Sequence, residues 1–225
     1  MPSDLYSILE QAREEDKAGN HSMALMKYKI FLKYESGDPQ AWTDYAGLLL
    51  LMNRFDDSLR ASGQALEIEP DFEPALINKA AALFGLEQFE EAKEIYKYLL
   101  TINPDRTECI FGLQKCLYKM GDTTSTESDM LKILNIDSSN MDAMQYLVSF
   151  YTLKNDKDKI KHWLEKIINL KFSGYESLWE KSVLLLRLGE YQEGFKLFEY
   201  RPANVNVPLS DEPIWNGESF PGRTL

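Results

Sequence analysis

The stretch ALINKAAALFGLEQFEEAKEIYKYLLTINP, Ala75 to Pro104, lies over AWTDYAGLLLLMNRFDDSLRASGQALEIEP, Ala41 to Pro70, at a shift of 34 residues with no gap. A fixed internal period is read before any other pattern, because it defines the unit from which the fold is built. The shift extends both ways and gives six units, starting at Leu5, Pro39, Glu73, Thr107, Met141 and Tyr175. Position 4 is apolar in each: Ile8, Trp42, Leu76, Ile110, Met144 and Leu178. Position 8 is small in Ala12, Ala46, Ala80 and Ser182, while Gln114 and Val148 depart from the pattern. Position 24 is bulky in Tyr28, Tyr96, Met130, Leu164 and Phe198, with Ser62 the exception.

Each unit also breaks at its middle, at Gly19-Asn20, Asn53-Arg54, Gly121-Asp122, Asn155-Asp156 and Gly189-Glu190; the third unit has Glu87-Gln88 there, with no turn former. Apolar residues three to four apart flank the break on both sides, so each unit reads as a helix, a short turn and a second helix.

The unit resembles the tetratricopeptide repeat, with a large apolar residue at position 4, small residues at 8 and 20, and a proline at 32. Units two and three carry the pattern most fully. They supply Trp42, Ala46, Phe55, Ser58 and Pro70, then Leu76, Ala80, Phe89, Ala92, Tyr96 and Pro104. Positions 8 and 20 mark the closest approach of a unit's two helices, where a bulky side chain would force them apart. Prolines at 32 end the second helices. The resemblance implies an all-α, right-handed superhelical solenoid of six helix-turn-helix units over residues 5–201. A leader, residues 1–4, precedes it, and an extended, mostly irregular tail, residues 202–225, follows. Departures cluster late, with Thr126 and Ile160 at position 20 and Ser138, Phe172 and Asn206 at position 32, so units four to six are expected to pack less regularly.

In such a stack, unit positions 2, 5, 6, 9, 12 and 13 line the concave groove. They supply an apolar and aromatic strip of Leu50, Leu51, Ile77, Phe84, Phe111, Tyr118, Tyr146 and Trp179, with Asn78, Lys115 and Lys119 among them. The strip suits an amphipathic helix or extended peptide with aromatic anchors. The same side chains at helical spacing also read as core, or as a surface covered by the tail. One mode known in the family clamps a peptide's terminal carboxylate with Lys and Asn at positions 5 and 9, Asn at 6 of the next unit, and Lys and Arg at 2 and 6 of the third. Here Thr43 and Gly47 precede Asn78, and Glu108 and Gly112 follow it, so that clamp is absent. A second mode, an asparagine ladder at position 6, meets Glu10, Asp44, Asn78, Gly112, Tyr146 and Glu180, which makes no ladder.

With 25 Lys plus Arg against 36 Asp plus Glu, the formal charge is -11, which repels nucleic acid and anionic lipid and favours a partner with a basic surface. At 225 residues and 44% apolar side chains, the chain can bury a large core. The N-terminus has no basic region ahead of an apolar run, and the longest aliphatic run, Leu48 to Met52, is too short to span a bilayer, so a soluble, cytoplasmic protein is expected. Cys109 and Cys116, seven apart, read as packed thiols on one helix face. His21 and His162 have no nucleophile or metal partner nearby in sequence, and no phosphate loop, nucleophile elbow or paired-cysteine motif occurs. The chain is expected to be no enzyme and to need no cofactor or metal. Its expected work is that of a scaffold or adaptor holding a protein or peptide, or its own second copy.

The end of the chain adds an alternative. Pro213-Ile214-Trp215-Asn216-Gly217 and Gly222-Arg223-Thr224-Leu225 are similar to the junction that, in bacterial proteins, joins a tetratricopeptide arm to a glycosyltransferase-like domain, with Arg223 where lysine is usual. That resemblance implies a recruiting or dimerising arm whose catalytic domain is missing from this chain.

Overall fold

Every unit turns at position 15, and the turn has the same geometry in all six. Gly19, Asn53, Glu87, Gly121, Asn155 and Gly189 take left-handed φ values of 78°, 56°, 62°, 81°, 54° and 84°. The next residue's N–H then reaches back five positions, as in Asn20 to Glu15, Arg54 to Leu49, Gln88 to Leu83, Asp122 to Leu117, Asp156 to Tyr151 and Glu190 to Leu185, at 2.8–3.0 Å. This bond satisfies a carbonyl that the ending helix leaves orphaned. Glu87 therefore adopts the same turn as the glycines, although its sequence carries no turn signal.

The computed structural model describes residues 2–170 and 175–199. Among these, the helices are α1 (Pro2–Lys17), α2 (His21–Tyr34), α3 (Pro39–Leu51), α4 (Phe55–Ile68), α5 (Glu73–Gly85), α6 (Phe89–Ile102), α7 (Thr107–Lys119), α8 (Thr126–Ile136), α9 (Met141–Leu153), α10 (Lys157–Asn169), α11 (Tyr175–Leu188) and α12 (Tyr191–Phe198). No strand occurs among the described residues. The fold is all-α, a succession of helix pairs, and α1 begins three residues ahead of the unit boundary at Leu5. Pro70 and Pro104 each fall directly after the residue capping α4 and α6, Glu69 and Asn103. At the other helix ends, the side chains of Asp38, Asn140 and Asp156 accept from the N–H groups of Ala41, Ala143 and Lys159 at 3.0–3.2 Å.

The chain divides into two compact units, one ending at Asp129 inside α8 and one beginning at Met130. In the first, α1 packs on α2, α3 on α4 and α5 on α6, and each second helix packs on the first helix of the next pair. The first helices also touch one another in order, α1 with α3, α3 with α5 and α5 with α7. One cluster is centred on Leu9, Tyr28, Phe31, Leu48 and Leu49. Another is centred on Leu83, Tyr96, Leu99, Cys109 and Cys116. In the second unit α9 packs on α10, α10 on α11 and α11 on α12.

Close approach explains the small residues. Ala46, Ala80 and Ala92 are fully buried, and so is Ser58, whose hydroxyl donates to the Ala46 carbonyl at 2.9 Å. Ser182 does the same to the Gly194 carbonyl at 2.8 Å. A Cβ built on Gly112 would come within 2.3 Å of the Tyr96 ring, so α7 can meet α6 only through a bare backbone there.

The fourth unit departs from expectation. Gln114 and Thr126 occupy its crossing, yet both are buried, and the Thr126 hydroxyl donates to the Gln114 side-chain oxygen at 3.0 Å. The Gln114 amide in turn donates to the Ser125 hydroxyl at 2.8 Å and to the Asp129 carboxylate. Looser packing is therefore not found at this crossing, because hydrogen bonding replaces close contact. Phe172, Asn206 and the tail, residues 202–225, with the junction motif, lie outside the described residues.

Candidate functional site

The first unit brings α3, α5 and α7 side by side, and with them Leu50, Leu51, Ile77, Asn78, Phe84, Phe111, Lys115, Tyr118 and Lys119. Tyr146 and Trp179 belong to the second unit, where Tyr146 is half-buried and Trp179 packs edge-on against Phe198 with ring centroids 4.8 Å apart.

These positions are not equivalent. Leu51 is 68% exposed and Tyr118 51%, so each presents a large apolar surface to solvent. Lys115 and Lys119 are exposed one turn apart on α7. Ile77 and Phe84 are half-buried against the second core cluster, and Phe84 lies 5.3 Å from Phe89 between ring centroids. They are part of that core as well as part of the strip. Leu50 and Phe111 are likewise half-buried.

Asn78 is already engaged within the fold. Its side-chain amide donates to the Thr43 carbonyl at 3.0 Å, tying α5 to α3. Gly47 faces that amide, and a Cβ there would sit 3.6 Å from it. The residue with most promise as a backbone-gripping group thus holds the protein's own backbone.

Between α1 and α3 one cation is shared by two carboxylates. The Arg13 guanidinium donates to Asp44 at 2.8 Å and to Glu10 at 2.7 Å, while the Gln40 amide donates to the other Asp44 oxygen at 2.6 Å. Burial works against the Arg13 charge, but its bonds to Asp44 and Glu10 outweigh burial and hold its pKa above the ordinary value. Sequence reasoning missed this tie, although its signal was available as opposite charges at positions 9 and 6 of adjacent units.

The residues considered for chemistry have structural roles. Burial pushes the thiols of Cys109 and Cys116 up to about 11, which keeps them protonated and unreactive near neutral pH. His21 pairs with Asp16 at 3.2 Å, and His162 packs edge-on to Trp163 at 5.2 Å. Among the described residues no group of three or more His, Cys, Asp or Glu could hold a metal, and no helix is long and apolar enough to cross a membrane.

The comparisons with known proteins agree with this architecture. The family model described as tetratricopeptide repeat matches residues 73–106, the third helix pair. The chain carries the tetratricopeptide-repeat fold. It is similar to the protein CTR9 homolog of Arabidopsis thaliana, 24% identical over 165 residues that cover 72% of this chain and 15% of that one. The chain thus matches only a small part of that relative's length. Among solved structures it is similar to PilW, a type IV pilus biogenesis factor, with a TM-score of 0.72 at 18% identity, covering 92% of this chain and 95% of that one. A shorter likeness, with a TM-score of 0.50 at 21% identity, covers 52% of this chain and 94% of the first tetratricopeptide domain of Spaghetti (RPAP3), whose structure holds an HSP90 peptide, SRMEEVD.

Proposed function

We propose that this chain is a non-enzymatic interaction module that holds a protein or peptide along the α3–α5–α7 face. The observation that supports this reading is the row of first helices in contact, on which Leu51 and Tyr118 are exposed and Leu50, Phe84 and Phe111 half-buried. A row of this kind offers a long surface with separated anchor points rather than an enclosed pocket, which suits polypeptide recognition. The peptide-bound RPAP3 domain supports the reading as a precedent for the fold. The chain's charge of -11 favours a partner whose overall surface is basic, through long-range attraction, and a second copy of the chain is the competing occupant.

The test uses the two most exposed strip residues, because replacing Phe84 would also disturb the core. Partners captured from a lysate by the intact chain are identified by mass spectrometry and then rebound to the Leu51→Asp/Tyr118→Ala double variant. Loss of those partners with unchanged thermal melting is the expected result. Undiminished capture would reject the α3–α5–α7 face.

A second reading rests on the junction motif from Trp215 to Leu225, and makes the helix pairs the recruiting or dimerising arm of a glycosyltransferase-like protein. Reading the gene beyond Leu225 tests it, since an immediate stop codon removes this alternative.

A further inference from the structure

A second surface of the first unit, sharing no lining residue with the strip, has the features of a peptide site. An open cavity of about 560 Å³ lies between α3 and α4, floored by Trp42 and Tyr45. Its other wall is the α4 stripe Asp57, Arg60, Gln64 and Glu67. Those positions are three, four and three residues apart, so the cavity follows α4 for about 15 Å. The floor is fixed: the Trp42 ring nitrogen donates to the Ser36 carbonyl at 2.9 Å, and its ring stands edge-on to Tyr45 with centroids 6.3 Å apart.

The two ends of the cavity differ in charge. At one end Asp57 accepts from both Arg54 and Arg60, so two guanidinium groups share one carboxylate and one positive charge is left over. Bonds from Arg54 and then Arg60 hold the Asp57 carboxyl below its usual pKa. Arg60 is 75% exposed and stands at the opening. At the other end Glu67 accepts from the Gln64 amide at 2.9 Å, a neutral partner that leaves its negative charge in place. Between them, Gly63 lines the wall with no side chain, and a Cβ added to it would meet nothing within 4 Å.

We propose that this cavity docks a peptide segment of a partner protein in which a carboxylate meets Arg60, an aromatic side chain lies on Trp42 and Tyr45, and a Lys or Arg meets Glu67. Arg60 and Glu67 are seven residues apart on one helix, about 10 Å along its axis. An extended peptide covers that distance in three residues at about 3.3 Å each, which defines the pattern acid, any residue, aromatic, base. The aromatic ring supplies buried contact area, and the two charged ends fix direction and register. This site is independent of the α3–α5–α7 strip, and either can fail without the other.

Three acetylated and amidated peptides, SGDAFKGS, SGKAFKGS and SGDAFDGS, provide the test on the full-length chain, followed through the Trp42 ring N–H and Gly63 amide signals in heteronuclear NMR. SGDAFKGS is expected to shift both signals and to bind at least about fivefold more tightly than either control, the scale of one exposed charge contact. Arg60→Glu should move the preference to SGKAFKGS, and Glu67→Lys should move it to SGDAFDGS. Gly63→Leu should block all three peptides while leaving thermal melting no lower, since the space beside Gly63 is open and leucine favours helix. Equal binding of the three peptides, shifts confined to α5 and α7, or undiminished binding by the Gly63→Leu chain would each overturn the proposal.

Discussion

The third and fourth helix pairs solve one geometric problem by opposite means. In the third, α5 and α6 cross at Ala80 and Ala92, both fully buried, and contact is made by the near absence of side chain. In the fourth, α7 and α8 cross at Gln114 and Thr126, which fill the space and bond to each other at 3.0 Å, with Ser125 and Asp129 completing the amide's donors. A small-small crossing gains dispersion contact and leaves no polar group to satisfy. A polar crossing is tolerated only when each buried donor and acceptor finds a partner. The fold therefore accepts different side-chain volumes at this point, provided that every buried polar group is paired.

Placing the fourth pair's residue in the third pair should break that equivalence most severely. Ala80→Gln introduces bulk where the helices touch and an amide without partners, which should cost about 4 kcal/mol from overpacking of ~2 and an unpaired buried polar group of ~2. Urea denaturation measures the change. Adding Ala92→Thr should restore about 1 kcal/mol if the two side chains find each other as Thr126 and Gln114 do; strict additivity of the two costs would argue against interchangeable crossings.

The reverse change, Gln114→Ala, removes hydrogen bonds worth about 1 kcal/mol each and leaves a partly collapsed cavity, so a loss of about 3 kcal/mol in the same assay is expected. Thr126→Val keeps the shape and removes only the hydroxyl, leaving the Gln114 oxygen with one fewer donor. It should lower stability by about 1 kcal/mol. Equal losses from the two variants would mean that the bond, and not volume, holds α8 against α7, whereas an unchanged stability of Thr126→Val would mean the reverse.

Much of this architecture was legible from the chain. The 34-residue period, the alternation of helices and the crossing positions all follow from local spacing, because each helix pair is specified by residues close in sequence. The candidate strip was legible only in part. Leu51 and Tyr118 are exposed, whereas Asn78 bonds to Thr43 and Phe84 packs into the core, outcomes that depend on the register between neighbouring helices. The Arg13–Asp44 tie, 31 residues apart in sequence, is of the same kind. The polar crossing of the fourth unit was hidden for a different reason: position-by-position matching cannot see that two departures compensate each other.

The third pair carries the opposite defect at its turn, and this gives the smallest and most diagnostic prediction. Glu87 sits at φ 62°, where the same position holds glycine in three units and asparagine in two. A side chain with a Cβ in the left-handed region costs roughly 1–2 kcal/mol, and replacing it with glycine returns ~1 kcal/mol of that as extra freedom of the unfolded chain. Glu87→Gly should therefore raise stability by only about 0.5 kcal/mol, read as a small upward shift in the denaturation midpoint with an unchanged slope. Gly121→Ala, the mirror experiment in the fourth pair, should lower it, and because its Cβ would meet nothing within 4 Å, any loss comes from backbone conformation alone. The third pair would then be the one with the cleaner crossing and the poorer turn, and the fourth the reverse. Stability in each pair is thus set by where its strain lies, and agreement with a consensus at any single position predicts it badly.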